Sequence, residues 1–162
     1  MNSPADYEKL VAEIVSGITN SAPVMSGYSL GFGAQNKIHG ASRQPHQFDV
    51  SLTSASELYC IECKRWRKRI GVEAVLVLIA RTADMREARP GCRVHSILVS
   101  TAEPTRGAKR LAQHYGVQLE VVESPVVFGM KIGQRIQNGI SSGIRASDSV
   151  VPTVTRGGAS VD

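Results

Sequence analysis

An α/β domain with a mixed central sheet flanked by helices is the fold class this sequence predicts. Three observations carry that prediction. Three segments repeat apolar residues with the helical period, and several short runs alternate apolar with polar residues as strands do. The order then shifts from consecutive strands to alternating strand and helix. The chain has 162 residues, 42% of them hydrophobic and 20% charged, which suits one domain with a proper core.

The first element is a helix, because Tyr7, Leu10, Val11, Ile14, Val15 and Ile18 recur on one helical face. Ser3, Pro4 and Asp6 supply its cap, a proline at the first helical position and an acid in the first turn; Gly17 and Asn20-Ser21 end it. From residue 22 to 45 Gly, Ser and Asn dominate, with Val24-Met25 and Tyr28 to Phe32 as short strand pieces. A hairpin follows. His46, Phe48, Val50 and Leu52 alternate with Gln47, Asp49, Ser51 and Thr53, and after Ser54-Ala55-Ser56 a second strand runs from Glu57 to Trp66. Val72, Val75, Leu76, Ile79 and Ala80 mark a helix, which Pro90-Gly91 separates from a buried strand, Val94 to Ser100. Pro104 opens another helix with Ala108, Leu111, Ala112 and Tyr115 on one face; Gly116 stops it, and Val117, Leu119 and Val121 form the last strand. Beyond residue 123 Gly, Ser, Thr and Arg take over and periodicity fades. The expected division is a folded domain over 1–123 and a partly disordered tail over 124–162.

Composition narrows the function classes. The net charge of +5 and a pI near 9.4 favour a polyanionic partner, while 5% aromatics argue against a surface built on base stacking. No run reaches the roughly 18 apolar residues of a membrane span, and the N-terminus lacks the blocks of a signal peptide. Three cysteines argue against a disulfide framework and for a cytoplasmic setting. Strand alternation would put Cys60 and Cys63 on opposite faces, so Cys60-Ile61-Glu62-Cys63 is not a zinc knuckle. The four histidines are scattered, Gly31-Phe32-Gly33 opens no helix, and Glu73 reads as a helix-dipole partner.

Chemistry concentrates at Glu62-Cys63-Lys64. Residues two apart on a strand share a face, so Glu62 and Lys64 project together. If the turn is centred between Ala55 and Ser56, paired positions sum to 111 and Asp49 falls opposite Glu62, with Gln47 on the same face and Phe48 and Val50 on the other. Two carboxylates, with the Cys63 main-chain carbonyl, can hold a hard cation such as magnesium, or manganese in its place. A lysine beside them can orient a water and offset charge on phosphorus. Alone, an acid-x-Lys triplet is near the chance level and reads as readily as an exposed strand-end ion pair. The run Lys64-Arg65-Trp66-Arg67-Lys68-Arg69 then supplies Arg65, Arg67, Lys68 and Arg69 as phosphate contacts beside the site.

Gln47-Phe48-Asp49-Val50 with Tyr59-Cys60-Ile61-Glu62-Cys63-Lys64 resembles the core of the PD-(D/E)xK nuclease superfamily, closest to Mrr-like restriction endonucleases. The likeness continues through Val72, Val75 and Leu78, through Val99-Ser100-Thr101, and through Gly107-Ala108 to Tyr115-Gly116-Val117-Gln118-Leu119. Tyr7 to Val11 is similar to that family's first helix, so the resemblance covers roughly residues 4 to 122. It differs in having Phe48 where a proline often precedes the acid.

The resemblance implies a restriction-endonuclease-like core in the order α-β-β-β-α-β-α-β. It also implies metal-dependent hydrolysis of DNA for restriction, defence or repair, with Asp49, Glu62 and Lys64 in the catalytic positions. Glu8 falls where some members carry an additional acid, and Gln47 is counted with it as an accessory residue. Coordinated cutting of both strands would call for a homodimer. Two other readings stay open: a DNA-binding module that keeps the fold without cleaving, and a structural or assembly protein with a basic tail.

Overall fold

A computed structural model describes residues 27–64 and 68–122, together with Lys9, Glu13, Ser16 and Gln134. The expected first helix therefore lies outside the described residues except at Lys9, Glu13 and Ser16, which are helical; Lys9 Nζ stands 3.7 Å from Glu13 Oε1. Glu8, Arg65, Trp66, Arg67 and all of the 124–162 segment but Gln134 also lie outside them.

The strands are β1 (Ser29–Phe32), β2 (Lys37–His39), β3 (Pro45–Gln47), β4 (Val50–Thr53), β5 (Glu57–Lys64), β6 (Arg93–Ser100) and β7 (Val117–Val121). Helix α1 (Val72–Ala88) connects β5 to β6, and α2 (Arg106–Tyr115) connects β6 to β7. Five strands form one sheet in the order β1-β4-β5-β6-β7, and β2 pairs with β3 in a separate ribbon. Pairing is antiparallel from β1 to β5 and parallel from β5 to β7, as two helical crossovers require. The fold is thus the mixed α/β sheet expected, with the ribbon as an addition.

Both described helices pack on one face of the sheet. Val75, Leu78 and Met85 of α1 and Ala108 and Ala112 of α2 are buried against Leu58, Cys60, Val94, Leu98 and Val117. The other face buries Val50, Leu52, Tyr59, Ile61, Cys63, Ile97 and Val99. Strand β5 alternates between these two cores, which is why its sequence is almost continuously apolar. Cys60 and Cys63 do fall on opposite faces. Burial pushes the Cys60 thiol up to about 12, which keeps it neutral.

Helix α1 corrects the expected apolar face. Its buried residues are Val75, Leu78, Thr82 and Met85, while Leu76 and Ala80 are exposed. Because Val75 to Leu78 are four consecutive apolar residues, periodicity alone could not choose the face. Helix α2 starts at Arg106, two residues beyond the Pro104 expected to open it, because the Thr105 hydroxyl caps it by accepting the Ala108 amide; Gly116 stops it as expected, in the left-handed region at φ 69°. Tyr115 is exposed instead of packing with Ala108 and Ala112, and its ring lies edge-on to His114.

The expected strand from His46 to Thr53 is broken in two. Paired positions sum to 82 between β1 and β4 but to 84 between β2 and β3, so the segment 33–36 holds two more residues than Phe48-Asp49 opposite. This bulge bends the chain at Asp49. Phe48 consequently enters the helix-side core while Val50 enters the other, and the two do not share a face as strict alternation required.

Candidate active site

The hairpin register is the one its turn dictates. Ser54 N–H donates to Glu57 O at 2.8 Å, and the pairs run from Thr53 with Leu58 to Val50 with Ile61. Hydrogen-bonded pairs recur every second residue, so the next rung would join Cys63 N–H to Phe48 O. That rung is diverted. Phe48 N–H donates to Asn36 O at 3.2 Å, and the Asn36 side-chain amide donates to Phe48 O at 2.8 Å. The Cys63 amide instead donates to Asp49 Oδ2 at 2.6 Å.

Asn36 is therefore what hands Asp49 to β5. It is buried, and its Oδ1 also accepts the Ser51 hydroxyl at 2.9 Å. Gly31 leaves room for this network: a Cβ there would fall on Asn36 Oδ1 and within 2.7 Å of Ser51 Oγ. Asp49 itself is 9% exposed, at the bend one position beyond the last hairpin pair.

Glu62 and Lys64 leave β5 on the helix side, with Lys64 Nζ 2.6 Å from Glu62 Oε1. Arg81, from the middle of α1, places Nη1 3.3 Å from Glu62 Oε2 and 3.2 Å from the Gln47 carbonyl. These three side chains, with Glu73, Val77 and Leu78, line a cleft of about 220 Å³. Glu73, in the first turn of α1, thus faces this cleft besides sitting at the positive helix end.

Asp49 does not line this cleft, but its carboxylate, held by the Cys63 amide, and that of Glu62 belong to the same end of β5, and such hard oxygen donors suit a magnesium-like cation. Among the described residues no group of three or more His, Cys, Asp or Glu side chains gathers. An ion here would complete its shell from main-chain carbonyls, water and substrate oxygens, as magnesium commonly does. The Cys63 side chain is buried on the opposite face, so only its main chain lies at this end of β5.

The other carboxylates near these strands have structural partners. Asp84 of α1 accepts the Ser42 amide at 2.8 Å, the Ser42 hydroxyl at 2.6 Å and His46 Nε2 at 2.6 Å, tying the β2-β3 ribbon to the helix. The Ser42 bonds, then His46, hold its carboxyl down at about 2. Glu57, at the opposite end of β5, accepts the Tyr28 hydroxyl and lies 2.9 Å from Arg93 Nη2 and 3.4 Å from His95 Nε2. Burial works to raise its carboxyl, but the Tyr28 hydrogen bond and the Arg93 charge outweigh it and hold it low.

Of the basic run, Lys68 and Arg69 are exposed, and Arg69 Nη2 donates to Pro104 O at 3.2 Å. The bridge between Ile70 and Pro104 sets this loop beside the start of α2, where Arg106, Lys109 and Arg110 are also exposed. Sequence reading missed Asn36, Arg81 and this basic face of α2. The last had a signal in the i, i+4 spacing of Arg106 and Arg110; the first two act across segments that only the fold brings together.

A family model described as restriction endonuclease (Mrr_cat) matches residues 2–124. No curated protein matches the chain. Among solved structures, protein VC1899 from Vibrio cholerae aligns at a TM-score of 0.60 with 18% identity, over 83% of this chain and 34% of that one. Can2 from Sulfobacillus thermosulfidooxidans, solved with cyclic tetra-adenylate, aligns at 0.57 with 19% identity, over 80% and 35%. At these identities the likeness speaks for the fold. The chain spans 56% and 46% of the length of two further matched structures, and about a third of VC1899 and Can2. Among the described residues no helix is long and apolar enough to cross a membrane.

Proposed function

We propose that this chain, which belongs to the Mrr_cat restriction endonuclease family, hydrolyses DNA phosphodiester bonds with a magnesium or manganese ion held at the end of β5. One observation carries the reading. The Asp49 carboxylate is locked by the Cys63 amide at 2.6 Å, at the strand end where Glu62 and Lys64 enter the cleft together.

Asp49 and Glu62 are the ligands in this reading, joined by the Cys63 carbonyl. The ion, when bound, would polarise the scissile phosphate and acidify a coordinated water. Everything else falls to the chain. The Cys63 N–H fixes one Asp49 oxygen and so the direction in which the carboxylate points. Lys64 keeps its ammonium beside Glu62, where it can orient the attacking water and offset charge accumulating on phosphorus. Lys68 and Arg69, with Arg65 and Arg67 of the same run, would hold flanking phosphates, and Arg106 and Arg110 would extend that track. Glu8 and Gln47 are assigned accessory roles, Gln47 through its carbonyl, which fixes Arg81. Restriction, defence or repair of DNA is the setting, and cutting both strands would take two copies of the chain.

The test is cleavage of plasmid and linear DNA in magnesium or manganese, with Lys64→Ala and Asp49→Ala beside the wild type. Each substitution should lower the rate by roughly 10²–10³-fold or more, and chelation should abolish cutting. Cleavage unchanged in both variants would refute the assignment. No cleavage by the wild type, with a low-salt gel shift intact, would move the chain to the non-cleaving DNA-binding reading.

A further inference from the structure

The Glu62 carboxylate carries a cation at each oxygen, Lys64 at Oε1 and Arg81 at Oε2. A divalent ion bound to the same carboxylate would bring a third cation to those oxygens, and the repulsion among the three is relieved if one withdraws. The two side chains differ in how they are tethered. Lys64 stands two residues along the same strand, with its 2.6 Å contact built into the strand's own geometry. Arg81 reaches over from α1, is about one-third exposed at the cleft wall, and makes the longer contact of 3.3 Å. Its Nη1 also holds the Gln47 carbonyl at 3.2 Å, and a guanidinium has five donors in a planar fork. It can release Glu62 and still be anchored.

We infer that Arg81 is an internal stand-in for the metal ion. It neutralises Glu62 in the metal-free protein, is displaced when the ion enters, and then presents its guanidinium to a DNA phosphate in the cleft. The inference rests on the metal-dependent reading above and adds an order of events to it. Arg81 lowers the metal affinity of the free protein and raises the DNA affinity of the loaded one.

Isothermal titration of Mn²⁺ into the full chain without DNA tests the first half. Working in about 0.5 M salt screens long-range charge and leaves contact competition. Arg81→Gln should bind Mn²⁺ about fivefold more tightly than the wild type, as loss of one contact ion pair predicts. Arg81→Lys, which keeps the charge, should stay within about twofold, and Glu62→Gln should lose binding. The second half is read on a phosphorothioate DNA that resists hydrolysis, with Lys64 kept so that Glu62 still carries both cations. There Arg81→Gln should weaken DNA binding about fivefold with Mn²⁺ and leave it unchanged without it. Unchanged or weaker Mn²⁺ binding by Arg81→Gln, with Glu62→Gln inactive in binding, overturns the inference and leaves the metal reading standing. Absence of Mn²⁺ binding in every protein, wild type included, overturns the metal reading itself.

Discussion

Replacing Asn36 with alanine should damage the site without touching any charged residue. The substitution removes two buried hydrogen bonds, one from Nδ2 to Phe48 O at 2.8 Å and one from the Ser51 hydroxyl to Oδ1 at 2.9 Å. Phe48 is fully buried and Ser51 is 3% exposed, so neither orphaned group can turn to bulk water. Each buried polar group left unsatisfied costs about 1–3 kcal/mol, and the hydroxyl can rotate to recover part, giving a loss of about 3 kcal/mol. For a chain of this length that is a fall in Tm of about 6–12 °C, read by thermal or urea unfolding. Activity should fall further than stability does. With Phe48 O released, the Cys63 amide can take it and extend the hairpin by one rung, withdrawing the bond that orients Asp49. Asn36→Asp should be no better than alanine, because a carboxylate keeps the acceptor for Ser51 but faces the Phe48 carbonyl without a proton to donate. A loss below about 0.5 kcal/mol, with cleavage at the wild-type rate, would refute the role given to Asn36.

Gly31→Ala presses on the same network, and a Cβ over Asn36 Oδ1 should cost about 1–3 kcal/mol in urea unfolding; a neutral result would mean that the Asn36 side chain is not fixed. Asp84 titrates at about 2 when folded, below its ordinary 3.8, so its ties to Ser42 and His46 stabilise the protein at higher pH and are lost as pH falls towards 2. The stability gap between wild type and Asp84→Asn should therefore be present at pH 5 and shrink on acidification, and a gap that widens instead refutes the assignment. Arg106→Gln and Arg110→Gln should each lower the slope of log K for DNA against log salt by about 0.9, measured by fluorescence anisotropy without metal; an unchanged slope removes α2 from the DNA track.

What the sequence made legible was local or a matter of parity. The Ser54-Ala55-Ser56 turn fixed a register in which positions sum to 111, and β4 and β5 pair accordingly. The stop of α2 at Gly116 needed no tertiary knowledge either, whereas its cap is Thr105, one residue past the Pro104 that the sequence marks as the start. The reading failed where a partner outside the window decided the geometry. Nothing in His46 to Thr53 announces a break, because it comes from two extra residues in the strand opposite. Arg81 was illegible for a related reason: its contact with Glu62 depends on which face α1 turns to β5, and four consecutive apolar residues left that face undetermined.

The position of the site follows from where the sheet changes character. Strand β5 has an antiparallel neighbour, β4, on one side and a parallel one, β6, on the other, and its two edges end differently. Towards β6 the pairing continues to Lys64 with Ser100, so the strand's last residues are held rigidly. Towards β4 it stops at Ile61, because the bulge carries Phe48 away to Asn36. The end of β5 is thus supported on one side and has a main-chain donor to offer on the other, and that donor is what Asp49 takes. A parallel connection also demands a crossover helix starting at this end, which brings Glu73 and Arg81 of α1 over Glu62 and Lys64. An uninterrupted hairpin would have satisfied Cys63 through the ladder and left Asp49 without its anchor. The interruption at Asn36 and Phe48, more than the triplet on β5, is what makes a site of this strand end.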